Sequence, residues 1–123
     1  MLTVRKEQMD VLDRDKRKRF VNLMVEHLEK FFPKRCATLG DKQMREWIEH
    51  GIDRAASYRI VSERDVCKYL DVMVVFGKDF DRDSQFPWAA KILNLQYADP
   101  GGKISQLFQA AREKISQVGG FNG

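Results

Sequence analysis

Ser62-Glu63-Arg64-Asp65-Val66-Cys67-Lys68-Tyr69-Leu70-Asp71-Val72-Met73-Val74-Val75-Phe76-Gly77 is the segment whose reading decides the fold. Its last third, Val72 to Phe76, is the one β-looking run in the chain, rich in β-branched residues. The residues before it argue for a helix. Val66, Cys67, Leu70, Met73 and Val74 recur at helical spacing, with Tyr69 and Phe76 flanking them. The ends agree. Ser62 with Asp65 three residues on resembles a capping box, and Ile60-Val61 can staple to Val66. Gly77 is a natural helix stop. A helix here removes the strand candidate, so the expected fold class is all-α.

Working toward the N-terminus, a second helix is expected after Gly40, with Asp41 as its N-cap. Met44, Trp47, Ile48, Ile52 and Ala55 make its apolar face. Gly51 in its middle costs about 1 kcal/mol against alanine, which predicts the close approach of another helix. Before that, residues 6–32 read as one long helix, ended by Pro33. Its apolar stripe is Met9, Leu12, Phe20, Leu23, Met24, Leu28 and Phe31, broken by Lys16 and Arg19 on the same face. The second half of this helix is expected to dock and the first half to project.

Toward the C-terminus, Pro87 opens a short helix carrying Trp88, Ile92, Leu93 and Leu95. A turn from Tyr97 to Gly102 follows, with Asp99 and Pro100 able to start the last helix. That helix shows Ile104, Leu107, Phe108, Ala111, Ile115 and Val118. The expectation is a compact, orthogonal or bundle-like single domain over 1–118 with about five helices. The first helix is long, and residues 119–123 form a flexible tail.

Bulk composition bounds the function. At 123 residues the chain can bury a core without metals or disulfides. No apolar run approaches the roughly eighteen residues of a membrane span, and the first twenty residues lack the apolar stretch of a signal peptide. A cytoplasmic protein is expected. The net charge of +4 is localised, because residues 1–35 hold ten Lys/Arg against six Asp/Glu and the remainder holds twelve of each. The excess lies chiefly in Arg14, Lys16, Arg17, Lys18 and Arg19.

The loop Gly77-Lys78-Asp79-Phe80-Asp81-Arg82-Asp83-Ser84-Gln85-Phe86-Pro87-Trp88 places three aspartates at alternate positions, as a calcium loop begins. Counted from Asp79, position 6 is Ser84 instead of glycine and position 12 is Ala90 instead of a bidentate glutamate. Asp81, Asp83 and Ser84 are therefore read as capping the next helix, and no metal or cofactor is expected. Cys36 and Cys67 are read as free thiols; only His27 and His50 could join them on zinc, and neither sits at finger spacing. No nucleophile–base pattern accompanies either histidine, and no catalytic residues are assigned. The basic run wraps its helix and is interrupted by Asp10, Asp13 and Asp15, which weakens it as a nucleic-acid footprint. Phe80 and Phe86, placed in the loop, must either tuck under the helices or form a partner-facing patch.

Several short stretches together resemble a known family. They are Val4 to Met9, Phe32-Pro33, Leu39-Gly40, Gly51-Ile52, Arg54-Ala55, Tyr58, Ser62-Glu63, Asp65-Val66, Tyr69-Leu70, Phe76-Gly77, Asp79-Phe80-Asp81 and Pro87-Trp88-Ala89. The chain is similar over most of residues 4–95 to a family of small helical proteins encoded beside type VI secretion effector and spike genes in Gram-negative bacteria. One departure is Arg59, where the resemblance would place a glycine after Tyr58. The resemblance implies a non-enzymatic protein-binding accessory protein, an adaptor or chaperone for a secreted effector or spike component. The alternative is an immunity protein that neutralises a cognate toxin. Ranked below are a nucleic-acid-binding module using the basic N-terminal helix and an enzyme using Asp79, Asp81 and Asp83. Leu12, Lys16, Arg19, Phe80 and Phe86 are the expected partner-binding residues, with no membrane involved and no oligomeric state implied.

Overall fold

The computed structural model describes residues 14–95 and 99–117, and every regular element among them is helical. In chain order they are α1 (Arg14–Phe31), α2 (Pro33–Leu39), α3 (Asp41–Ser57), α4 (Glu63–Phe76), α5 (Pro87–Leu93) and α6 (Pro100–Gln117). A single 3-10 turn, Phe80–Arg82, lies between α4 and α5. Leu12 and the other residues before Arg14, and the tail, fall outside the described residues; Arg17, in the half expected to project, is tied to α3.

The decisive segment is a helix, and its ends fall at the residues read as its caps, although Gly77 is not in the αL conformation expected of it. Ser62 Oγ accepts from the Asp65 backbone N–H at 3.3 Å, and Gly77 closes the other end at φ +122°, its N–H donating to Met73 O. What the pattern understates is how deeply α4 is buried. It packs against α1, α3 and α6 together. Tyr69 and Val72 are therefore as buried as Val66, Leu70, Met73 and Val74, while Cys67, expected inside, stands half-buried toward α1. A helix covered on most sides loses its polar face, which is why its sequence drifts toward a β-like run. The buried apolar residues of all six helices belong to one cluster.

Three local expectations change. Pro33 ends α1 but also opens α2 as its first residue, where the missing N–H costs nothing; that adds a sixth helix to the five expected and buries Cys36. Gly40, at φ +83°, is the N-cap of α3; Asp41 instead begins the helix and accepts from Arg45 Nε one turn on. On α1 the inward face is Phe20, Val21, Met24, Val25 and Leu28, rotated from the expected stripe, so Leu23 and Phe31 face outward.

Two backbone positions carry tight constraints. A Cβ on Gly51 would overlap Leu70 Cδ2 and sit 3.1 Å from Met73 Sδ, so the glycine lets α4 side chains lie directly against the α3 backbone. At the end of α3, Arg59 adopts φ +67°. Its N–H reaches Ala56 O at 2.8 Å and that of Ile60 reaches Ala55 O at 2.9 Å, the paired bonds of a Schellman cap with arginine where glycine is usual.

Gly51→Ala is expected to lower stability by about 1–2 kcal/mol despite its better helix propensity, since overpacking outweighs it. Arg59→Gly is expected to raise stability by ~0.5–1 kcal/mol through relief of the left-handed conformation, net of the entropy glycine adds to the unfolded chain. Urea unfolding midpoints check both signs.

Candidate functional site

The aspartate loop folds back onto α3 around one guanidinium. Arg54 Nη1 donates to Asp81 Oδ2 at 2.7 Å and Nη2 donates to Asp79 Oδ1 at 3.0 Å. His50 Nε2 lies 3.2 Å from both Arg54 Nη2 and Asp79 Oδ1. The Tyr58 hydroxyl donates to the same Asp81 oxygen at 2.7 Å. Asp81 is fully buried, and burial together with this bond to Asp81 pushes the Tyr58 phenol up to about 12. The charge of Arg54 thus occupies the position between two of the three carboxylates where a bound cation would sit. Asp83 turns away and accepts from the Gln85 N–H at 2.8 Å. The expectation that it and Asp81 cap α5 fails; the N-cap there is Phe86, with no side-chain bond, because Asp81 is drawn to α3 and Asp83 is taken by the Gln85 N–H. Lys103, buried on α6, donates to the Tyr58 carbonyl at 3.5 Å and ties the last helix to the same corner.

The two loop aromatics differ in burial. Phe80 is 1% exposed, with its ring centroid 5.2 Å from that of Tyr69. It offers nothing to a partner, contrary to expectation, because the Arg54–Asp81 bond pulls its turn into the core. Phe86 is half-buried, its ring 5.1 Å from Phe76 in an edge-on trio with Trp88. It holds α5 against the end of α4.

The opposite face is different. Leu23 is 54% and Phe31 56% exposed, both on α1. Spaced by four with Arg19 and His27, they form one stripe that winds along the helix. Arg19 is exposed and Lys16 half-buried at its upper end; Arg17 turns away, donating to Glu49 Oε1 at 2.7 Å and to Asp53 Oδ1 at 2.9 Å on α3. Beyond the α1 stripe, α4 and α6 enclose an open groove of about 740 Å³ flanked by Lys68, Phe108, Arg112 and Glu113. A smaller apolar cleft of about 120 Å³ beside it is lined by Phe32, Val72, Val75, Phe76, Ala111 and Ile115. Two aromatics of this face have a cation near them. Lys30 Nζ stands 5.4 Å from the Phe31 centroid and Lys68 Nζ 6.0 Å from that of Phe108.

Between stripe and groove sits a cluster that sequence reading did not assemble. His27 Nε2 donates to Asp71 Oδ1 at 2.8 Å, and Cys67 Sγ lies 3.6 Å from the same nitrogen. Burial pushes the Asp71 carboxyl above its usual range, opposed by His27, and pushes the Cys67 thiol up to about 11. The arrangement is not a nucleophile with its base. Carboxylate and sulfur address one ring nitrogen, so Asp71 cannot hold the ring from behind while Nε2 takes the thiol proton. The available signal was Cys67 and Asp71 one turn apart on α4; pairing cysteine only with histidine, at finger spacing, passed over it. Comparison with protein-family models, with curated proteins and with solved structures finds no match to this chain.

Asp81→Ala is expected to cost about 3 kcal/mol in a urea unfolding experiment, since it leaves Arg54 without its buried partner. Tyr58 gives a pH signature. Its raised phenol pKa means that its contribution to stability is complete below pH 10 and is lost as pH rises toward about 12. The tyrosinate absorbance difference between wild type and Tyr58→Phe should therefore develop near pH 12, not near 10.

Proposed function

We propose that this protein is a non-enzymatic binding module that seats an acidic amphipathic helix of a partner protein on the α1–α4–α6 face. The observation that carries the reading is the exposed pair Leu23 and Phe31 beside an apolar cleft, with Arg19, Lys30, Lys68 and Arg112 around them. Large exposed apolar side chains rimmed by charge mark protein-docking surfaces. The cations select for carboxylates on the partner and would speed its approach. A helix laid in a groove presents such anchors at spacings of three and four. The Asp79–Asp81 loop adds support for a binder over an enzyme, since its carboxylates are already engaged with Arg54.

The resemblance to proteins encoded beside type VI secretion genes supports a secreted effector or spike component as that partner, with this chain as its cytoplasmic adaptor or chaperone. An immunity role is the second reading, and the same cationic face would then cover part of a toxin.

Co-expression with the product of the adjacent gene should give a complex that survives size exclusion at low salt and weakens as salt rises. Leu23→Glu with Phe31→Glu should dissociate it while leaving the thermal melt within a few degrees, because both residues are already in solvent. Two proteins that elute separately, or a complex indifferent to these changes, would remove the proposal. Deletion of the gene separates the two roles: halted delivery marks an adaptor, and self-intoxication marks an immunity protein.

A further inference from the structure

We infer that His27, Cys67 and Asp71 form a three-ligand site for a zinc-class divalent ion, bridging α1 and α4. Imidazole nitrogen, thiolate sulfur and carboxylate oxygen converge there, each offering one ligand atom, all within 4.8 Å of one another. The donor set is borderline-soft, which suits zinc and disfavours calcium and magnesium.

The sulfur–nitrogen distance already fits tetrahedral coordination, and the nitrogen–oxygen distance needs a small adjustment. Bonds of about 2.3 Å to sulfur and about 2.1 Å to nitrogen at the tetrahedral angle put the two ligand atoms about 3.6 Å apart. Cys67 Sγ and His27 Nε2 are 3.6 Å apart. The nitrogen–oxygen separation for such a site is about 3.4 Å, whereas His27 Nε2 and Asp71 Oδ1 stand at 2.8 Å, a hydrogen bond. Binding an ion therefore asks the carboxylate to retreat by about half an ångström and the ring nitrogen to exchange a proton for the metal.

Two further features favour a site over a simple polar contact. One imidazole nitrogen is offered both a sulfur and a carboxylate, although it can serve one of them with its single proton or lone pair. A cation at their meeting point satisfies all three. The charges also balance: thiolate and carboxylate supply two negative charges against the two positive charges of the ion, so the occupied site is neutral in its half-buried setting. The framework is already rigid. Cys67 and Asp71 stand one helical turn apart on α4, and the His27 ring packs 4.9 Å from that of Phe31. His27 and Asp71 keep 24% and 19% of their side-chain surface exposed, which leaves an entry path and a fourth position for water. The site stands whether or not a partner binds the surrounding face.

The test uses the full chain, reduced and stripped of metal, titrated with cobalt(II) and then with zinc(II). Expected is a thiolate-to-cobalt charge-transfer absorption that saturates at one equivalent, is displaced by zinc, and accompanies a rise in Tm. The chain has two cysteines, so Cys36→Ser must keep the band and Cys67→Ser must lose it. His27→Gln and Asp71→Asn should each weaken zinc binding by more than about tenfold. Absence of the charge-transfer band in the wild type overturns the inference without recourse to any variant. So does a band lost in Cys36→Ser, or zinc affinity unchanged in both His27→Gln and Asp71→Asn. In those cases the cluster is a hydrogen-bonded contact pinning α1 to α4.

Discussion

The contact between α3 and α4 at Gly51 is the constraint on which the rest of the molecule depends. Without a side chain there, Leu70 and Met73 lie directly against the backbone of α3. That close approach leaves α4 free to take α1 and α6 on its remaining sides. That helix thereby becomes the hub for α1, α3 and α6, while α2 packs on α1 and α3, and α5 packs on α6. The cost of a mid-helix glycine is small beside the apolar surface that this arrangement keeps from water.

Charge fixes what packing leaves loose. The connection between α4 and α5 is too polar to be held by apolar contacts alone, and Arg54 holds it through Asp79 and Asp81. Burying Asp81 is tolerable because a guanidinium and a phenol share its oxygen; its second oxygen and the Tyr69 hydroxyl make no hydrogen bond among the described residues. Such a half-satisfied junction adds little net stability, but it places the loop in one position. Phe80 is carried inward by it, and the Phe76–Phe86–Trp88 trio then closes that side of the protein. Among the described residues the largest exposed apolar side chains are Leu23 and Phe31 on α1, with Leu95 just after α5 less so, and the cleft between α4 and α6 adds further apolar surface. The two faces differ for this reason: on one the loop's carboxylates and aromatics are consumed internally, and on the other the aromatics remain partly open beneath lysines.

Helical periodicity, the Ser62 cap and the Gly77 stop were legible in the chain because each depends on residues within a turn or two of one another; the tight spot at Gly51 was legible only as a costly mid-helix glycine, its partners Leu70 and Met73 lying on another helix. The absence of glycine at position 59 was legible too, as a departure from a resemblance, and the left-handed φ of Arg59 gives it a physical meaning. Pro33 was ambiguous by nature, since the same residue that stops one helix suits the first position of the next. The facing of Leu23 and Phe31 was misread because a helix of mixed composition admits two neighbouring stripes. Which of them docks depends on the partner helix, and Val21 and Val25 proved to be on the side that meets it.

The sequence by itself determined the all-α class, the two ends of α4 and the localisation of the positive charge, since all three follow from local spacing and composition. Only the tertiary structure decided what Asp79, Asp81, His27, Cys67 and Asp71 do. Their partners lie more than twenty residues away, except for the Cys67–Asp71 turn, and helix packing alone brings them within reach. The aspartates that looked like a cation site hold an arginine. The residues that gather like metal ligands came from two helices that no spacing rule connects.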